Sequence, residues 1–144
     1  MRGPNPQQKF RNLNLGVVTT PFGGQTEQEN FHPGVDIANS SGTSIHAPVN
    51  AIVTKVENGH AQFDNSFGNT LEFRDSEGKT HQFHHLQDIL AKPGQQIQEG
   101  QPVATMGKTG AVYSPTNRDP SNLDYRIVTR YGKYLNPLSY LNKL

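Results

Sequence analysis

Glycine and proline punctuate this chain so densely that a long helix has nowhere to form. With 14 Gly and 10 Pro among 144 residues, turn signals recur roughly every 8 to 12 residues. The segments between them are rich in β-branched and aromatic side chains and show almost no helical period. The expected fold class is therefore all-β, built of small antiparallel sheets. Gly16 to Phe22 reads as a short strand stopped by Gly23-Gly24, and Gln25 to Asn30 as a polar loop. Thr43 to Val56, with a proline near its middle, reads as two short strands or a bent one. Asn69 to Arg74 and Lys79 to Leu86 alternate around Asp75-Ser76-Glu77-Gly78, a hairpin pattern. Gln95 to Met106 and Leu123 to Thr129 supply the remaining strands, while Asn136 to Leu144 and Leu86 to Leu90 each suggest one helical turn. Residues 1 to 16, polar and aperiodic, are expected to form an arm or linker, leaving residues 17 to 144 as one domain.

Composition narrows the functions available. Lys plus Arg number 13 against 12 Asp plus Glu, with no run of like charge, so neither nucleic acid nor anionic lipid is favoured as a partner. No window approaches the ~18 apolar residues of a membrane span. The opening residues lack the apolar stretch of a signal peptide, so the chain either does not use that export route or begins after processing. Zero cysteine removes disulfides, thiolate metal sites and cysteine nucleophiles together. A metal here would have to be held by His and carboxylates.

One pattern offers such ligands. Phe31-His32-Pro33-Gly34-Val35-Asp36 places an imidazole and a carboxylate four residues apart, and both can bind a divalent cation if Pro33-Gly34 turns the chain. Taken alone, a loop His near an Asp is more often an ordinary hydrogen-bonded pair. Its surroundings are more specific. In order along the chain stand TTPFG (Thr19 to Gly23), FHPGVDIA (Phe31 to Ala38), GTSIHAPVNAIV (Gly42 to Val53), GNTLEF (Gly68 to Phe73), FHHL (Phe83 to Leu86), PGQQIQEGQPVATMGKTG (Pro93 to Gly110), NLDYRI (Asn122 to Ile127) and NPLSYL (Asn136 to Leu141). This series resembles the M23 (LytM/lysostaphin-like) metallopeptidase family, whose members cut peptides of bacterial cell-wall peptidoglycan.

The resemblance implies a small all-β domain with a groove, and Zn2+ held by the H-x-x-x-D pair and the second His of an H-x-H strand. By position, His32 and Asp36 match the first two ligands and His85 matches a catalytic His flanking the metal-bound water. The family's H-L-H-F-E block reads Asn122-Leu123-Asp124-Tyr125-Arg126 here. Asp124 thus stands at the third metal position and Asn122 at the second catalytic position. Ala111 to Ser121, ahead of this block, is longer than the family's equivalent and carries Arg118, Asp119 and Pro120.

Each replacement has a chemical consequence. A carboxylate binds zinc at about the distance of an imidazole, ~2.0–2.2 Å, so Asp124 remains a permitted ligand. Two carboxylates would cancel the charge of the ion, weaken it as a Lewis acid, and shift preference towards Mn2+, Mg2+ or Ca2+. Without metal, Asp124 is simply a hydrogen-bonded groove residue. Asn122 cannot carry a proton near pH 7, and losing a positioned acid or base costs about 10²- to 10⁴-fold in rate. Its amide can still donate a hydrogen bond to an oxyanion.

Two functions therefore follow from the resemblance: a weakened metalloendopeptidase of peptidoglycan, or a degenerate module whose groove docks a cell-wall peptide or a partner protein. Either implies an extracytoplasmic, cell-wall or virion-associated setting. Among the other histidines, a regular strand would put His81 on the face of His85, near the groove, and leave His84 exposed. His46 is placed near the groove and His60 in a solvated turn. Ile52, Val53, Val56, Leu71, Phe73, Val103 and Ile127 are expected in the core; Tyr113, Tyr131 and Tyr134 read as packing residues near the altered loop and chain end.

Overall fold

The structure, a computed structural model, describes residues 16–24, 31–59, 67–110 and 119–144. Residues 1–15 of the proposed arm, the Gln25 to Asn30 loop, His60, Tyr113 and most of the Ala111 to Ser121 segment lie outside these. Within them ten strands form one sheet: β1 (Val17–Thr20), β2 (Val35–Ala38), β3 (Ser44–His46), β4 (Ala51–Glu57), β5 (Asn69–Asp75), β6 (Thr80–Ile89), β7 (Gln96–Ile97), β8 (Pro102–Met106), β9 (Asn122–Val128) and β10 (Tyr134–Leu135). Among the described residues one short helix, α1 (Pro137–Asn142), follows, capped by the Asn136 side chain, which accepts from Leu138 N and Ser139 N. The main path runs β1-β2-β9-β6-β5-β4-β7; β3 and β8 pair with each other, β8 also with β6, and β10 with β9. Every pairing is antiparallel. The all-β class expected from turn spacing is the class observed.

The β5–β6 hairpin forms where the alternation placed it. Gly78 adopts the left-handed conformation the turn requires, with φ 80°, and Asp75 Oδ1 accepts from Glu77 N at 2.9 Å and Lys79 N at 3.0 Å. The core lies on one face of the central strands. Leu71, Phe73, Phe83, Leu123, Tyr125 and Ile127 are fully buried, and Phe83 meets Phe73 and Tyr125 edge-on with ring centroids 5.1 and 5.0 Å apart.

Four expectations change. Leu86 to Ile89 continues β6 rather than turning helically, because Leu86 and Ile89 pair with Met106 and Ala104 of β8. Ile52 is 44% exposed while its neighbour Val53 is buried, since adjacent strand residues face opposite ways. Tyr131 and Tyr134 are exposed rather than packed. The last change concerns the histidines of β6, and it shapes the groove.

Candidate functional site

Register decides which side chains share the groove face. Across β2, β9 and β6, Asp36 pairs with Asp124 and Asp124 with His84, so these three stand side by side on one face. Directly opposite residues project together, and alternation puts Arg126, two residues on, on that face as well. Phe83 pairs with Tyr125 and His81 with Ile127 on the opposite, core face.

His81 is accordingly fully buried away from the groove. Its Nε2 donates to Asp75 Oδ2 at 2.9 Å, and its Nδ1 accepts from the Tyr125 hydroxyl at 2.7 Å. His84, expected to be exposed, is buried on the groove face, stacked on Phe67 with centroids 4.2 Å apart and bonded to Thr70 Oγ1 at 2.9 Å. Burial pushes its pKa down to about 3, against the pull of Asp124, so the ring is neutral.

His85 would follow His81 and Phe83 into the core if β6 stayed regular. It does not, because Asn69 pairs with Leu86 while Leu71 pairs with Phe83, leaving an extra residue on β6. His85 absorbs the bulge with φ 67°, alone among described non-glycine residues in having a positive φ. Such a conformation costs on the order of 1–3 kcal/mol and persists where the surroundings enforce it. They do so here: His85 N donates to Phe67 O at 2.8 Å, and its ring Nδ1 donates to Thr109 O at 2.8 Å. Thr109 in turn bridges two strands, its hydroxyl accepting from Asn69 N at 3.0 Å and donating to Leu86 O at 2.8 Å. Donation from Nδ1 makes Nε2 the basic nitrogen of the neutral ring.

His32, Asp36 and Asp124 converge, with one ligand atom from each lying within 4.8 Å of the others. His32 is 2% exposed; its Nε2 donates to Asp36 Oδ1 at 3.0 Å and lies 3.9 Å from Asp124 Oδ1. Gly34 makes the approach possible. A Cβ there would fall 2.5 Å from Tyr125 O and 2.6 Å from Arg126 Cγ, so only glycine lets the His32 loop lie against β9.

Asp124 has a second partner that sequence reasoning had not assigned. Arg126 grips it with both arms, Nε to Oδ1 at 3.0 Å and an Nη to Oδ2 at 2.9 Å. The guanidinium is itself held, its carbon 4.9 Å above the centre of the Phe67 ring, and the residue is 8% exposed. Burial alone would push the Asp124 carboxyl up, but the hydrogen bonds and charge of Arg126 outweigh it and hold the group below the usual carboxylate range. The two form a buried, bidentate ion pair. The readable signal was the i, i+2 spacing of opposite charges in NLDYR.

This pair bears on whether a metal fits. Three donors meet as a divalent ion needs, yet both oxygens of Asp124 carry guanidinium N–H bonds. An ion at ~2.0–2.2 Å from Oδ1 would lie a few Å from a fixed positive charge. The donor set thus converges in position and conflicts in charge.

Asn122 sits at the start of β9, opposite Ala38, with Nδ2 donating to Pro120 O at 3.0 Å. His46 is half-buried and bonded through Nδ1 to Gly100 O at 2.9 Å. Among the described residues no buried side-chain nitrogen or oxygen lacks a partner.

The model of peptidase family M23 matches residues 30–137. Over 127 residues the chain is 31% identical to the murein hydrolase activator NlpD of Escherichia coli strain K12, covering 88% of this chain and 29% of that protein. The peptidoglycan DD-endopeptidase ShyC of Vibrio cholerae serotype O1 is 34% identical over 90 residues, 62% of this chain and 20% of that protein. The chain therefore spans less than a third of the length of these relatives. Its fold resembles the structure of LytU at a TM-score of 0.72 and 23% identity, covering 90% of this chain and 86% of that one. On this match, which takes in both β2 and β9, the chain belongs to peptidase family M23.

Proposed function

We propose that this M23 domain acts outside the cytoplasm at the bacterial cell wall as a non-hydrolytic module, its groove docking a peptidoglycan hydrolase and modulating it. The carrying observation is the Asp124–Arg126 pair, which sets a buried guanidinium against the carboxylate at the expected third ligand position and so favours a metal-free site. Asn122 supports the same reading, because its amide cannot relay a proton. So does the relation to a protein named a murein hydrolase activator.

The convergence of His32, Asp36 and Asp124 favours a second reading, a weakened metallopeptidase. In it these residues would hold Zn2+ or another divalent ion, which supplies Lewis-acid polarisation of a peptide carbonyl when bound. His85, through Nε2, would hold or move the proton at the scissile amide, and Asn122 would donate to the oxyanion.

Purified peptidoglycan separates the two. Wild-type protein supplied with Zn2+ is expected to release no soluble peptides, whereas Asn122→His/Asp124→His/Arg126→Glu, which restores the H-x-H-x-E pattern, should gain release. Cleavage by the wild type that His85→Ala abolishes would overturn the non-hydrolytic reading. Docking is checked by adding the wild-type domain to a peptidoglycan hydrolase of the cell wall; no binding and no change in its rate would count against it.

A further inference from the structure

We propose that Arg126 supplies the positive charge of this groove in place of a metal ion, so that the His32–Asp36–Asp124 cluster is closed to divalent cations by the protein's own guanidinium. The inference deepens the proposed function and rests on it only for its biological meaning; the chemistry stands on the geometry.

Four observations place the guanidinium there as a built feature. It is bidentate to Asp124, at 3.0 and 2.9 Å, using both carboxylate oxygens. It lies over Phe67, whose ring is stacked on the neutral His84, so an aromatic platform supports it from below. Its stem passes beside Gly34, where a side chain would collide with Arg126 Cγ. Both members of the pair are buried, Asp124 at 4% and Arg126 at 8% exposure, out of reach of the screening that weakens surface pairs.

The charge arrangement differs from the one implied by H-L-H-F-E. There an imidazole stands two residues before a carboxylate; here a carboxylate stands two residues before a guanidinium. Alternation keeps both positions on the groove face, so a neutral imidazole and a carboxylate have given way to a carboxylate and a guanidinium at the same two places. A divalent ion entering between His32, Asp36 and Asp124 would have to displace the His32 proton that now bonds Asp36, and would share Asp124 Oδ1 with the Nε–H of Arg126. It would also remain beside a like charge that cannot withdraw, because Phe67 and Asp124 hold it.

The test is a titration with Zn2+ alone, followed by calorimetry and by the imidazole NMR signals of His32. Wild type is expected to show no stoichiometric binding at micromolar Zn2+ and no shift of the His32 signals. Arg126→Gln, which keeps a hydrogen-bonding side chain and removes the charge, should bind one Zn2+ at least 10- to 100-fold more tightly than wild type, the scale on which groups around a metal ligand act. Adding His32→Ala to Arg126→Gln should abolish that gain. One-to-one binding by wild type, with shifted His32 signals, would overturn the proposal even if Arg126→Gln failed to fold. A folded Arg126→Gln, judged by circular dichroism, with no gain would overturn it as well. The two readings fail separately: Zn2+ binding without peptidoglycan cleavage refutes the arginine's role alone, whereas cleavage by a zinc-free wild type refutes the non-hydrolytic function alone.

Discussion

Replacing Asp75 by asparagine should cost the fold about 2–4 kcal/mol at neutral pH, and visibly less in acid. Asp75 lies on the core side of the sheet, with its side chain 4% exposed. Its Oδ2 accepts from His81 Nε2 at 2.9 Å and from the Tyr140 hydroxyl of α1 at 2.7 Å, tying β5, β6 and the C-terminal helix at one atom. Burial would push the carboxyl up, but hydrogen bonds from His81, Tyr140 and the Lys79 N–H lower it from 3.8 to about 2. At ~1.36 kcal/mol per pH unit, that difference stabilises the fold by about 2 kcal/mol. For a depressed carboxyl this contribution is present above the unfolded value, falls to about half near pH 3, and is lost as pH drops through about 2. Asparagine keeps an acceptor for Glu77 N and Lys79 N but turns an NH2 towards two donors, leaving the His81 N–H and Tyr140 O–H without an acceptor, at about 1–3 kcal/mol for a buried group. Urea denaturation followed by circular dichroism should show the midpoint of Asp75→Asn lowered by roughly 1–2 M at pH 7, given ~1–3 kcal/mol/M for a domain of this size. At pH 3 the gap between variant and wild type should shrink by about 1 kcal/mol. A gap equal at both pH values would refute the charge-based account.

Burial also lowers the pKa of His81 and keeps it neutral, so wild-type stability should decline as pH falls below 6.5, where the unfolded histidine takes up a proton the native one refuses; a flat stability between pH 7 and 5 would contradict this. Gly34→Ala drives a Cβ to 2.5 Å from Tyr125 O, and should lower stability by at least about 2 kcal/mol in thermal unfolding, as overpacking against backbone does. Thr109→Val keeps the shape but removes the hydroxyl that accepts from Asn69 N and donates to Leu86 O, for an expected loss of about 1–3 kcal/mol in the same assay. Asn136→Ala removes the cap of α1, and should cost about 0.5–2 kcal/mol with faster amide exchange at Leu138 and Ser139.

The sequence offered candidate ligands but not their company. His32 and Asp36 stood out by their spacing and Asp124 through the resemblance to the M23 family, and the three do converge. Alternation along β6 misassigned two histidines, sending His81 to the groove and His84 to solvent, because one bulge at His85 reverses the parity of everything beyond it. A bulge leaves no mark in a period-two pattern until the partner strand is known. Arg126 was visible as a letter in NLDYR, yet its role required knowing that β9 turns Asp124 and Arg126 to the same face and that Gly34 and Phe67 close round them.

Turn punctuation, β-branched composition and the absence of cysteine determined on their own that this chain would be all-β and that any metal in it would meet only histidine and carboxylate. These are local properties, legible residue by residue. Which side chains meet is settled by register across β2, β9 and β6, a long-range matter in which one inserted residue exchanges the two faces of a strand. Tertiary structure alone therefore decided that the Asp124 carboxylate faces an arginine.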